Sequence, residues 1–132
     1  MTDRELFLEQ HKDSPQDLFR YSRDVIEGRW PEAEPTIMAD PEYAYLYSRI
    51  VIGGRWSEAE PIIMTNPEHA YFYALNIIRG RWPEAEPTIM TDPYYAYLYS
   101  LDVIKGSWPE AELIIINDDF WWNLYLSDVL GI

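Results

Sequence analysis

Pairs of glutamates at a fixed interval are the feature of this chain with the most chemical potential: Glu32/Glu34, Glu58/Glu60, Glu84/Glu86 and Glu110/Glu112 recur every 26 residues. A carboxylate ladder of this kind builds a negative face for a cationic partner. Catalysis would need other groups beside it. The two histidines, His11 and His69, lie in non-equivalent contexts, and His69 stands where other repeats carry Tyr43 and Tyr95. The chain has no histidine-rich metal spacing, no glycine-rich phosphate loop and no Ser-His-Asp arrangement. Asp118 and Asp119 are adjacent acids, far short of a ligand set for a divalent ion. The expectation is a protein without catalytic residues, metal or cofactor.

Charge gives the ladder its meaning. The chain carries 23 acidic and 10 basic residues, a formal net of -13. Such a balance disfavours direct binding to nucleic acid. The excess is uneven, because beyond residue 82 the only basic residue is Lys105. Arg29, Arg55 and Arg81 stand close enough to neutralise part of the ladder in the first three repeats, and Ser107 replaces them in the fourth. With packed helices ~8 to 10 Å apart, the last two repeats would carry roughly one net charge per 2.5 Å, against one per ~1.7 Å of duplex DNA.

The elements that position these acids follow from the period. Trp30, Trp56, Trp82 and Trp108 keep the 26-residue step, as do Gly28, Gly54, Gly80 and Gly106, and Tyr21, Tyr47, Tyr73, Tyr99 and Tyr125. A fixed period of this length means one supersecondary unit copied and stacked. Each copy opens with Ser14-Pro15, Asp40-Pro41, Asn66-Pro67 or Asp92-Pro93, a polar cap followed by proline at the first helical position. About three turns follow, with Ala44, Tyr47, Ser48, Val51 and Ile52 on one stripe, and the repeated glycine is expected to close the helix in the left-handed conformation. A second, shorter helix starts at Pro31-Glu32-Ala33-Glu34, its acids facing the positive end of the helix dipole and Pro35 limiting it to roughly two turns.

The expected fold is therefore all-α: a right-handed α-solenoid of about four and a half helix-turn-helix repeats, with about ten helices in one domain over residues 1–132. The repeats run 14–39, 40–65, 66–91 and 92–117, with a partial capping repeat at 118–132. Thr2, Asp3, Arg4 and Glu5 resemble a capping box, so residues 2–12 should form an N-terminal cap helix. Leu18 and Trp122 replace Ala44, Ala70 and Ala96 at the ends, where no further helix needs to approach. Each corner tryptophan should be wedged between repeats with its indole N–H bonded to backbone. The absence of cysteine, of a signal peptide and of a long apolar run fits a soluble protein of a reducing cytoplasm.

The consensus DPxYAYxYxxxVIxGRWPEAEP resembles short tandem helical repeats of bacteriophage and bacterial proteins over about residues 14–132. That resemblance implies a phage or host-defence setting in a bacterial cytoplasm, and it carries over no functional residue. In that setting a small acidic non-catalytic chain is similar to DNA-mimic inhibitors, which occupy the nucleic-acid groove of nucleases, repair enzymes or CRISPR effectors. The expected partner is thus a basic nucleic-acid-binding protein, met by Glu84, Glu86, Glu110, Glu112, Asp118 and Asp119, with Trp121 as an anchor. Neither nucleic acid nor membrane is an expected partner, and the chain is expected to be a monomer or weak homodimer. A scaffold that holds a peptide or protein through apolar contacts of Tyr45, Tyr71 and Tyr97 is the alternative.

Overall fold

The computed structural model describes all residues, Met1–Ile132. It is all-helical, without strands, and contains ten α-helices. The chain divides into two compact units, Met1–Ile63 and Met64–Ile132.

In the first unit, α1 (Asp3–Gln10) is capped by Thr2, whose hydroxyl oxygen accepts the Glu5 N–H and donates to the Glu5 carboxylate. Phe7 of α1 stacks on Tyr21 at 4.2 Å, which closes the first repeat. The longer repeat helices are α2 (Pro15–Tyr21) and α4 (Pro41–Leu46), with Ser14 and Asp40 accepting first-turn amides as expected of caps. The shorter ones are α3 (Glu34–Ile37) and α5 (Glu60–Ile63). α2 packs on α3 and α4, and α4 on α5. The second unit repeats the pattern with α6 (Pro67–Tyr73), α7 (Glu86–Ile89), α8 (Pro93–Tyr99), α9 (Pro109–Ile115) and α10 (Asp119–Leu124). There α8 lies between α6 and α10 and packs on both.

Every long helix runs without a break into a π turn: Ser22–Ile26, Tyr47–Ile52, Ala74–Ile78, Ser100–Ile104 and Tyr125–Val129. This widened turn alters two expectations. First, the buried stripe holds only as far as Ala44, Tyr47 and Ser48, while Val51 and Ile52 are half-exposed. Second, helix closure moves one residue earlier. The left-handed conformation belongs to Glu27, Gly53, Arg79 and Lys105, and the repeated glycines after them do not adopt it. In the third repeat the Ala74 carbonyl accepts both the Arg79 N–H and the Gly80 N–H.

A left-handed non-glycine residue costs about 1–2 kcal/mol, of which glycine's extra chain entropy takes back roughly 0.5–1. Arg79→Gly is therefore expected to stabilise the protein by about 0.5–1 kcal/mol in urea unfolding. Gly80→Ala should be tolerated, because a Cβ there meets nothing within 4 Å. Destabilisation by Gly80→Ala alone would contradict this placement.

The short helices differ for a visible reason. Pro35, Pro61 and Pro87 leave only a turn or a 3-10 segment ahead of α3, α5 and α7. Leu113 takes that position in the fourth repeat, and α9 is continuous from Pro109. Tryptophans and tyrosines dominate the core of each unit: Trp30, Trp56 and Tyr47 in the first and Trp82, Trp108, Tyr73, Tyr99 and Tyr125 in the second are all at most 2% exposed. No helix is long and apolar enough to cross a membrane.

Candidate acidic interface

The two glutamates of each pair stand two residues apart, across the turn or 3-10 segment that leads into α3, α5 and α7, and in the first turn of α9. They differ in exposure. Glu32, Glu58, Glu84 and Glu110 are exposed, whereas Glu34, Glu60, Glu86 and Glu112 are largely covered.

The covered row forms latches between repeats. Trp82 N–H donates to the Tyr99 hydroxyl at 2.8 Å, which in turn donates to Glu86 Oε2 at 2.7 Å. Arg81 closes the group by donating to both Glu86 carboxylate oxygens at 2.8 and 2.9 Å. The same arrangement joins Trp30, Tyr47, Glu34 and Arg29 in the first unit. Arg55 likewise holds Glu60. Where Ser107 replaces the arginine, Glu112 still accepts from the Tyr125 hydroxyl at 2.6 Å, and that hydroxyl accepts from Trp108 N–H at 2.8 Å. Each of these tryptophans also rests on the tyrosine ring of its own repeat, with centroids 4.9 Å apart for Tyr99 and Trp108. The tryptophan is thus wedged between repeats as expected, yet the hydrogen bond at Trp30, Trp82 and Trp108 runs through the main-chain N–H, in place of the indole N–H.

A second set of bonds joins the Tyr71 hydroxyl to Asp102 at 2.7 Å and the Tyr97 hydroxyl to Asp128 at 2.5 Å. Burial, followed by the accepting carboxylate, pushes Tyr97 up to about 12 and raises Tyr71 as well. Burial also raises Tyr47 and Tyr99, and lifts Tyr125 to about 12 with the help of Glu112. Burial acts to raise Glu34 and Glu86, but the bonds from arginine and tyrosine outweigh it and hold both below the ordinary carboxylate value.

The expected interface residues accordingly separate into two groups. Glu86 and Glu112 hold latches, and Asp118 caps α10 by accepting Trp121 N–H at 3.2 Å. Glu84, Glu110 and Asp119 are exposed. Trp121 is half-buried, its ring 4.5 Å from Tyr94 and 5.8 Å from Tyr97. Trp122 stacks on the buried Tyr125 at 5.5 Å and covers the last latch. All these residues lie in the second unit, which has ten acidic and three basic residues. Of the three, Arg81 is engaged by Glu86.

The histidines and the adjacent acids are also accounted for. His11 Nδ1 lies 3.1 Å from Asp17 Oδ2, and its ring stacks on Phe7. The His69 amide is bonded by the Asn66 cap. No group of three or more His, Cys, Asp or Glu side chains is placed to hold a metal ion. The latches escaped sequence reading, although the tyrosines and glutamates share one period and so had to stay in register. Against protein-family models, curated proteins and solved structures, the chain finds no match.

Proposed function

We propose that this chain is a non-catalytic acidic binding protein, a tandem-repeat α-solenoid that occupies the nucleic-acid-binding surface of a basic protein, in the manner of an inhibitor from a phage or a host-defence system. The observation that supports this reading is the excess of acidic over basic residues in the second unit, ten to three, with part of that excess exposed. Glu84, Glu110 and Asp119 are directed to solvent and take no part in the latches, while the basic residues of that unit number only three. A solvated face explains a single such glutamate, and Asp119 also complements the dipole of α10 from its first turn, but no contact of the fold calls for the loss of arginine at Ser107. That loss raises the local negative charge.

The scaffold alternative relies on Tyr45, Tyr71 and Tyr97 as an apolar contact surface. These tyrosines are 3–7% exposed, and the hydroxyls of Tyr71 and Tyr97 are bonded to Asp102 and Asp128. The acidic reading is therefore favoured.

Capture from a bacterial lysate tests it, using the wild type beside a variant carrying Glu84→Lys, Glu110→Lys and Asp119→Lys. The expected result is a nucleic-acid-binding protein retained by the wild type at low salt, released by added duplex DNA, and held about tenfold more weakly by the variant, since like charges across an interface are strongly unfavourable. A partner retained equally by both proteins through high-salt washing would overturn the proposal.

A further inference from the structure

The second position of each long helix is solvent-exposed in every repeat, and its occupants are Gln16, Glu42, Glu68, Tyr94 and Phe120. A glutamate there complements the helix dipole. The last two repeats replace it with aromatic rings that are 38% and 64% exposed. Such a change gives up a favourable charge and gains little burial, and it occurs in consecutive repeats on the most acidic part of the chain. The rings also gather into one patch. Tyr94 lies against Trp121 at 4.5 Å, and Phe120 meets Trp121 edge-on at 4.6 Å.

Three aspartates adjoin these rings along the chain, at the starts of α8 and α10. Asp92 Oδ1 accepts the Tyr94 N–H and Asp118 Oδ1 the Trp121 N–H, which leaves Oδ2 of each without a partner in the chain. Asp119 is exposed beside Phe120. The exposed rings of Tyr94 and Phe120, with carboxylates at the same helix starts, match a guanidinium group, which stacks flat on an aromatic face and donates to carboxylates from its edge. An ammonium group has the charge without the flat surface.

We infer that Tyr94, Phe120 and Trp121, together with Asp119, form a receptor for arginine side chains in an arginine-rich segment of the partner. This rests on the acidic-interface reading above and supplies its specificity: the glutamates attract basic surfaces in general, and the ring patch selects arginine.

Labelled octa-arginine and octa-lysine peptides test it by fluorescence anisotropy at low salt. With two guanidinium contacts, the wild type is expected to bind octa-arginine roughly five- to thirtyfold more tightly than octa-lysine. The informative variant is Tyr94→Glu with Phe120→Glu, which restores the residue of the second and third repeats and adds two negative charges. Ring stacking predicts that this variant loses the arginine preference and binds octa-arginine more weakly than the wild type. Equal or tighter octa-arginine binding, as charge alone would give, overturns the inference. If the variant behaves that way while Glu84→Lys, Glu110→Lys and Asp119→Lys abolish binding of both peptides, the acidic interface stands without the arginine receptor. Failure of both peptides to bind the wild type overturns both readings.

Discussion

Glu86→Lys is expected to destabilise the protein by about 3 kcal/mol, at the low end of the ~3–5 kcal/mol typical of breaking a buried ion pair, because Arg81 is about half exposed. The substitution places a second cation beside Arg81 and takes away the acceptor of the buried Tyr99 hydroxyl, which in turn orients the acceptor of Trp82 N–H. Glu84→Lys, two residues earlier and exposed, should change stability by no more than about 0.5 kcal/mol. Urea unfolding of the two variants compares the rows directly. Similar effects from both would mean that the covered glutamates hold nothing together.

Alkaline unfolding is the second large effect. Folding raises five hydrogen-bonded tyrosines above the ordinary value of 10.0, with Tyr97 and Tyr125 at about 12 and Tyr47, Tyr71 and Tyr99 also raised. Raised values mean that unfolding releases protons at high pH, so this stabilisation is complete below pH 10 and is lost as pH climbs through the folded values. The tyrosinate absorbance of these five groups and the loss of helical circular dichroism should therefore appear together between about pH 10 and 12. Glu34 and Glu86 act in the opposite sense: their lowered values add stability above the ordinary carboxylate range that disappears on acidification. Titration of Tyr47, Tyr99 and Tyr125 near 10 while the helices persist would contradict the latch geometry.

Much of this fold was legible because each repeat announces its own boundaries. The Asp-Pro and Asn-Pro starts, the corner tryptophans and the count of ten helices all follow from residues with strong local preferences. The π turns did not, since a 3.6-residue pattern has no means of marking a turn closed by bonds five residues apart, and the helix ends shifted by one residue as a result. The site was half legible. The acidic ladder and the missing arginine at Ser107 were visible, but treating each glutamate pair as one feature concealed that one member is exposed and the other largely covered. Tyr94 and Phe120 were within reach of a repeat alignment, where they stand out against Glu42 and Glu68. Their exposure and their contact with Trp121 needed the three-dimensional arrangement.

Competition for nucleic acid is the centre of the functional account, and it is measured most directly with the partner recovered by capture. A fluorescent duplex bound to that partner has high anisotropy, and increasing amounts of this chain are added. The account predicts a fall to the value of free duplex, reversed by excess unlabelled DNA and absent with the Glu84→Lys, Glu110→Lys and Asp119→Lys variant. A further rise in anisotropy would mean a ternary complex, with the chain seated away from the nucleic-acid surface, and would contradict it.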